Sequence, residues 1–221
     1  AEIWRRFRKS KLAMFGLILI VVIILLSCCA SLICDYEKDA ITQNAMNRFA
    51  DPSWEHPFGT DEYGGDIFAR VLFGTRISLQ VGFVSTIVAC AIACLLGSIV
   101  AYYGGKVDAI IMRVLDIFMG IPTLLLAIAI SASLGAGINN LIIALIISQI
   151  PSFTRVVRSA VINVTDMEYV EAAKAYGCSP MFIIICHILP NAVGTIIVQA
   201  TMAVAAQILN TAALSYLGLG Q

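Results

Sequence analysis

Few residues of this chain have the types and spacing that catalysis requires. The two histidines, His56 and His187, lie in separate segments, and no long apolar run contains an acidic residue. A membrane-embedded hydrolase needs a nucleophile beside a base, or paired carboxylates, so the sequence disfavours one. Gly104-Gly105-Lys106 is followed by Val107 and therefore lacks the Ser or Thr of a phosphate-binding loop. We predict no catalytic residue and no cofactor bound by this chain.

The seven cysteines do not predict a metal site either. None belongs to a C-x-x-C motif, and most lie in or beside apolar runs, where a thiol behaves as a small apolar group. Cys90 and Cys94 share a helix face, but two soft ligands without a third and fourth do not hold a metal ion. We expect no disulfide and no bound metal.

One polar segment, residues 165–180, carries a stronger pattern. Thr165 is followed three residues later by Glu168, which is the spacing of a capping box. Gly177 favours a left-handed helix stop, and Pro180 prevents continuation. The spacing predicts a short helix over 166–176, with Lys174 in its last turn.

A second short helix is predicted directly afterwards. Ser179 has the residue type of an N-cap with Pro180 at the first helical position, and the helix would run through Met181 to Leu189 until Pro190-Asn191 breaks it. Helices of this length are marginal alone. The segment is therefore either a solvated connector with good caps or an element that another protein holds.

The composition places these elements in a membrane protein. Of 221 residues, 60% are apolar and 13% are charged, with 14 basic and 14 acidic residues and a mean hydropathy of +0.91. Soluble domains have about 45–50% apolar and about 25% charged residues. The formal net charge of +0 disfavours a nucleic-acid partner, and the apolar content excludes a disordered chain.

Charge-free runs predict an all-α, polytopic helix bundle, because a span needs about 20 apolar residues and lipid leaves no backbone group unpaired. A break at 135–140 turns the third run into a hairpin. The predicted spans are 12–34, 77–101, 114–134, 139–157 and about 190–214. Because the chain stops within apolar sequence, we expect a sixth span after Gln221. Residues 67–73 are predicted to form an interfacial helix, capped by Asp66 and ended by Gly74.

The distribution of basic residues predicts the orientation. Ten lie before the first span and in 102–116 and 155–181, whereas 35–76 has four basic and eight acidic residues. The positive-inside rule places the N-terminus in the cytoplasm. The predicted parts are a cytoplasmic tail with the first span (1–34), an external loop with the interfacial helix (35–76) and a core (77–221) that carries a cytoplasmic loop at 158–189.

Several motifs of this sequence resemble those of the permease subunits of ABC transporters. Glu171-Ala172-Ala173, Gly177 and Leu189-Pro190-Asn191 are similar to the EAA loop of that family. The dipeptide and oligopeptide branch is indicated by stretches that cover nearly the whole chain; they are 56–66 (HPFGTDEYGGD), 102–105 (YYGG) and 213–220 (ALSYLGLG). Gly65 departs from the branch, which usually has Arg at that position.

The resemblance implies a type I ABC importer permease fold in the inner membrane and transport without catalysis by this chain. The implied partners are a homologous second permease, two ATPase subunits that bind ATP and Mg²⁺, an external solute-binding protein and the lipid bilayer. The implied coupling residues are Val170, Glu171, Ala172, Ala173 and Gly177. Glu171 would either contact an ATPase residue or act on the helix dipole without a contact. Peptides are the implied solute, with nickel or a nickel chelate as the alternative; a scaffold that does not transport is a further alternative.

Polar residues inside the spans are the candidates for the solute pathway. They are Ser148, Gln149, Gln199, Gln207 and Asn210. Polar groups at depth tend to face the bundle interior or a cavity, and the competing interpretation is hydrogen bonding between helices. On the second span, Ala89, Ala93, Gly97 and Ala101 form a small face that predicts close helix packing rather than solute contact.

Overall fold

The computed structural model describes residues 2–42 and 44–220, and the regular elements among them are helices. The chain forms two compact units, one up to Leu79 and one from Gln80. The first unit contains α1 (Glu2–Lys9), α2 (Lys11–Cys28), α3 (Ala30–Ile33), a π-helical turn (Tyr36–Ile41), a 3₁₀ turn (Ala45–Asn47) and the start of α4 (Ile67–Tyr103). The second contains the rest of α4, then α5 (Gly105–Met119), α6 (Thr123–Leu134), α7 (Ile138–Thr165), α8 (Glu168–Ala175), α9 (Pro180–Ile183), a π-helical turn (Ile184–Ile188) and α10 (Leu189–Tyr216).

The predicted membrane-spanning character is confirmed. Four helices within the described residues are long and apolar enough to cross a bilayer, and a bent pair, α5 with α6, makes a possible fifth span. The first predicted span, 12–34, is interrupted: α2 ends at Cys28 and a separate single turn, α3, follows. Ser10 caps α2, since its hydroxyl accepts a hydrogen bond from the Ala13 amide at 3.3 Å.

The predicted C-terminal end of the interfacial helix at 67–73 is wrong. Its cap is correct, because Asp66 Oδ1 accepts hydrogen bonds from the amides of Phe68 at 2.7 Å and Ala69 at 3.4 Å. Gly74 does not end it, and the helix continues to Tyr103 as α4. A glycine inside a helix costs only about 1 kcal/mol, which is too little to stop a helix that continues directly into an apolar run.

The third predicted span, 114–134, is not one straight helix. α5 stops at Met119, α6 starts at Thr123, and their axes differ by 84°. Pro122 lacks an amide hydrogen and disfavours a helical conformation at Ile121, which explains the break. The predicted hairpin after α6 is confirmed: Gly135 and Gly137 have φ of +89° and +143°, and the Asn140 amide donates to the Leu134 carbonyl at 2.9 Å.

Within the second unit, α4 packs closely on α7 through its small residues. Ala89 and Ala93 are fully buried and contact Phe153 in one cluster. A Cβ atom on Gly97 would lie 2.9 Å from both the Thr154 carbonyl oxygen and the Val157 Cβ. The packing interpretation of this face is therefore confirmed.

Candidate functional site

The segment around α8 is fixed to the second unit by one buried face. Val170 is fully buried and Ala173 is 8% exposed. Both belong to a cluster that includes Val157 and Val161 of α7 and Ile183 after α8. Two of the five predicted coupling residues therefore anchor the helix and do not present a surface to a partner.

The opposite face of α8 is open. Glu171 and Ala172 are exposed, and the Glu171 carboxylate makes no ion pair with another described residue. Glu171 and Glu168 both lie in the first turn, where the helix dipole stabilises negative charge. This arrangement gives α8 an acidic, low-relief outer surface.

The end of α8 has the predicted stop. Gly177 has a φ of +75°, and its amide donates to the Lys174 carbonyl at 3.0 Å while the Cys178 amide donates to the Ala173 carbonyl at 3.2 Å. This is the hydrogen-bond pattern of a Schellman motif. No atom lies within 4 Å of the position that a Gly177 Cβ would take, so glycine serves the backbone conformation and leaves an open surface.

The predicted start of α8 is wrong. Thr165 is the last residue of α7, and its hydroxyl donates to the Val161 carbonyl at 2.8 Å instead of capping the next helix. Met167 occupies the N-cap position of α8 without a side-chain hydrogen bond. A helical Thr165 cannot have the extended backbone that an N-cap needs, so the continuation of α7 overrides the local capping signal.

A cation–π contact joins α8 to the end of α4. The Lys174 Nζ lies 5.3 Å from the centre of the Tyr102 ring, and Tyr102 packs against the same cluster that buries Val170. The sequence predicts Lys174 in the last turn of the helix, and it gives no signal of this long-range contact.

Beyond α8, the chain turns back into the membrane without the predicted break. Ser179 caps α9 as predicted, accepting a hydrogen bond from the Phe182 amide at 3.4 Å. Pro190 does not end the helix, because a π-helical turn precedes it and α10 continues from Leu189. Pro190 has no amide hydrogen for the carbonyl four residues before it, and the wider turn accommodates that loss. The Asn191 side chain donates to the His187 carbonyl at 2.6 Å.

Four of the pathway candidates contribute to contacts within or between α7 and α10. The Gln207 amide is fully buried, donates to Gln149 Oε1 and accepts from Asn210 at 3.3 Å. Ser148 donates to its own helix at the Leu145 carbonyl, 3.0 Å away. Gln199 is partly exposed and makes no hydrogen bond within the described residues. Interhelical hydrogen bonding therefore accounts for Gln149 and Gln207, as the competing interpretation expects.

A small cavity lies at the break between α5 and α6. Its volume is about 120 Å³. It is lined on one side by Pro122 and Thr123 and on the other by Ser148, Pro151 and Ser152 of α7. Ser148 is the one predicted pathway residue that reaches this cavity.

Two ion pairs fasten α5 to α7, and neither is predicted from the sequence. Arg158 binds Asp108, and Arg155 binds Asp116. The spans predicted at 114–134 and 139–157 stop short of Asp108 and Arg158, whereas α7 runs eight residues further, to Thr165. The sequence signal for these ion pairs is the presence of opposite charges at the ends of neighbouring apolar runs.

In the first unit, the segment resembling the peptide branch forms a stapled loop. Asp61 Oδ1 accepts from the amides of Tyr63 and Gly65, each at 2.8 Å, and Arg70 Nη1 lies 2.5 Å from Asp61 Oδ2. Burial acts to raise the pKa of the Asp61 carboxyl, but these amides and the guanidinium outweigh it and hold that pKa below its ordinary value. His56 Nδ1 lies 3.1 Å from Asp66 Oδ2 and thereby joins the loop to the cap of α4.

Gly65, which departs from the branch pattern, lies inside this loop. A Cβ atom at this position would lie 3.1 Å from Arg70 Nη2 and 3.2 Å from the Ala40 carbonyl oxygen. Because Arg70 Nε also donates to that carbonyl at 3.0 Å, the Arg70 guanidinium occupies the space beside Gly65. A larger residue would require Arg70 to move.

Comparison with known proteins agrees with this architecture. Residues 93–221 match the family described as binding-protein-dependent transport system inner membrane component, and residues 1–52 match the N-terminal TM domain of oligopeptide transport permease C. Among solved structures, the chain is similar to inward-facing conformations of the MetNI methionine ABC transporter. The TM-score is 0.58 and the identity 23%, over 68% of this chain and 75% of that one. This likeness shows the fold, which is that of a type I ABC importer permease.

Curated relatives match nearly the whole chain. The dipeptide transport system permease protein DppC of Alkalihalophilus pseudofirmus is 45% identical over 99% of this chain and 71% of its own length. The glutathione transport system permease protein GsiD of Escherichia coli is 40% identical over 99% of this chain and 72% of its own. DppC of Bacillus subtilis is 36% identical over 99% and 68%. The chain therefore belongs to the family of inner-membrane components of binding-protein-dependent transport systems.

Proposed function

We propose that this chain is a permease subunit of an ATP-driven importer for peptides. The single observation that carries the solute class is the similarity over 99% of the chain to permeases named for dipeptides and for glutathione, itself a tripeptide. None of these relatives is named for nickel, and the described residues contain no cluster of three or more metal-binding side chains. The nickel alternative thus has no support.

ATP hydrolysis belongs to partner subunits of the transporter. The full assembly would contain a second permease, two ATPase subunits that hold ATP and Mg²⁺, and an external binding protein that sets most of the solute specificity. The distribution of basic residues supports an inner-membrane subunit whose N-terminus and 158–189 loop are cytoplasmic.

The proposed contact with the ATPase is the outer face of α8. Glu171, Ala172 and Gly177 are exposed there, whereas Val170 and Ala173 fix the helix to the bundle. One face of α8 is packed on the bundle and the other is exposed. A helix held in this way can transmit a movement of a partner protein to the bundle. The exposed, unpaired carboxylate of Glu171 favours a direct contact over a purely dipolar role.

For the solute pathway, we propose Gln199 and Asn210 on α10 together with Ser148 at the cavity. Gln199 is partly exposed without a hydrogen-bond partner among the described residues, and Asn210 is partly exposed beside Gln207. Gln149 and Gln207 would hold α7 against α10 behind them.

The test is reconstitution of the complete transporter in liposomes. Peptide-loaded binding protein should stimulate ATP hydrolysis and drive uptake of labelled dipeptide, and nickel should neither be taken up nor compete. A scaffold that does not transport would leave hydrolysis unresponsive to the binding protein. Uptake of nickel without peptide uptake would overturn the solute assignment.

A further inference from the structure

The short basic helix α1 ends where the first membrane-spanning helix begins. α1 covers Glu2–Lys9, and α2 starts at Lys11. Ser10 between them has an extended backbone, with φ −86° and ψ 106°, and it caps α2. Because a helix axis cannot continue straight through an extended residue, α1 leaves the axis of α2 at this point.

The first turns of α2 are apolar and exposed, as expected where a helix enters a bilayer. Leu12 is 82% exposed and Phe15 is 65% exposed, and only 6% of the apolar window of α2 is buried within the chain. Side chains of this kind face lipid or another apolar surface. α1, which precedes Leu12 by a single bend, therefore lies at the level of the lipid headgroups.

Four basic side chains of this stretch have no charged or hydrogen-bonding partner among the described residues. Arg5, Arg8, Lys9 and Lys11 are exposed, and their side chains make no ion pair or hydrogen bond with any described residue. The sequence has no acidic residue from Ile3 to Cys34. The negative charge that complements this cluster must therefore come from outside this part of the chain.

We infer that Arg5, Arg8, Lys9 and Lys11 bind the headgroups of anionic phospholipids. Phosphate-bearing headgroups supply negative charge at the depth where α1 lies, and Arg and Lys both pair well with phosphate oxygens. Binding of this kind holds α1 along the surface and fixes the depth of α2. The inference rests on the proposed function only for the side of the membrane, since the cytoplasmic leaflet is the one that the basic residues are predicted to face.

The experiment uses the assembled transporter purified in a neutral detergent. Phosphatidylglycerol or phosphatidylcholine is titrated in mixed micelles, and the midpoint of thermal unfolding of the permease is recorded. Wild type should be stabilised by phosphatidylglycerol alone, and 0.5 M NaCl should weaken the effect. Each basic residue near an anionic surface contributes roughly a fivefold change in affinity. The variant R8Q/K9Q should therefore need about 25-fold more phosphatidylglycerol for half of the shift.

A charge-matched control separates this site from a general effect of net charge. K38Q/R48Q removes two exposed basic residues from the loop after α2 and should keep the wild-type titration. R8K/K9R keeps both charges and should also keep it, which shows that the positions tolerate substitution. Equal loss in R8Q/K9Q and K38Q/R48Q, or equal stabilisation by the two lipids, would overturn the inference.

The titration needs neither solute nor ATP, so its outcome is independent of the proposed transport. If α1 instead bound an acidic surface of a partner protein, R8Q/K9Q would weaken the assembly equally in both lipids. That result would also overturn lipid binding.

Discussion

Arg158 of α7 makes a bidentate ion pair with Asp108 of α5. Nε lies 2.6 Å from Oδ1, and Nη2 lies 2.6 Å from Oδ2. Both side chains are partly buried, with 30% and 24% of their surfaces exposed. Two parallel charge-assisted hydrogen bonds fix distance and orientation together, so this pair sets the position of α5 on the end of α7.

Replacing Arg158 by Gln should loosen α5. The change leaves a partly buried carboxylate without its cation, and the loss of stability should be about 1–2 kcal/mol, between the values of surface and buried pairs. Thermal unfolding of the purified transporter measures it. The charge swap R158D/D108R should recover part of the loss, while K106Q, on the exposed side of α5, should have almost no effect. A swap no more stable than R158Q would show that the pair itself is unimportant.

Substitutions on the outer face of α8 should separate coupling from insertion. Glu171→Ala and Gly177→Asp should leave the subunit in the membrane but abolish uptake, because the first removes a contact and the second strains a φ of +75°. Uptake of labelled peptide and immunodetection in membranes are the measurements. Glu168→Ala is the matched control, since Glu168 shares the first turn and the dipole effect. Equal loss in Glu168→Ala and Glu171→Ala would favour the dipole alternative, and unchanged uptake in Glu171→Ala would contradict the coupling role.

The contact between Lys174 and Tyr102 should depend on a positive charge at residue 174 and an aromatic ring at residue 102. Lys174→Arg and Tyr102→Phe keep the interaction, while Lys174→Gln and Tyr102→Leu remove about 0.5–1 kcal/mol. We expect transporters assembled with either of the last two variants to show ATP hydrolysis that responds more weakly to loaded binding protein. If Tyr102→Phe were as impaired as Tyr102→Leu, the hydroxyl and not the ring face would be the important group.

Acid should loosen the loop that Asp61 staples. The folded state holds the pKa of Asp61 below its ordinary value of about 3.9, so this carboxylate stabilises the loop above that pH. The contribution is lost as the pH falls through the lowered folded-state pKa. Limited proteolysis of residues 44–66 between pH 7 and pH 2 should show the change. Asp61→Asn should be cleaved readily at every pH, and Asp51→Asn, an exposed control, should behave as wild type. A wild-type loop that is as resistant at pH 2 as at pH 7 would contradict this account.

Gly97 and Gly194 should respond oppositely to the same substitution. Gly97→Ala places a Cβ 2.9 Å from the Thr154 carbonyl oxygen and from Val157, and backbone contact of that kind separates α4 from α7. A Cβ atom on Gly194 would meet no atom of a neighbouring segment within 4 Å, so Gly194→Ala should stabilise α10 by up to about 1 kcal/mol through the higher helix propensity of alanine. Thermal unfolding of both variants checks the pair. Similar shifts for the two would mean that α4 and α7 are less closely packed than the structure indicates.

Local chemistry explains which features the sequence predicts well. Gly177 and Ser179 act on their own backbone, and both have the predicted roles. The small face of α4 follows from a repeat of four residues and is also confirmed. Thr165, Gly74 and Pro190 are local signals that longer helices override, because each helix gains more from continuing than the single residue costs.

Contacts between distant parts of the chain were beyond sequence reasoning. Lys174 and Tyr102, or Arg158 and Asp108, are far apart in sequence and carry no shared pattern. The division of α8 into a buried face with Val170 and an open face with Glu171 also depends on which neighbours cover it. The motif alone does not show which of the five predicted coupling residues are buried and which are exposed.

The passage from α9 through the π-helical turn into α10 forms one uninterrupted helix from Pro180 to Tyr216. At 1.5 Å per residue such a rod is about 55 Å long, and a tilt of about 5° at its base displaces the far end by about 5 Å. The wide turn before Pro190 thus lets a proline stay in the chain without creating a joint. If a partner pushes on α8 as proposed, a small tilt of the adjoining segment would be magnified across the thickness of the bilayer.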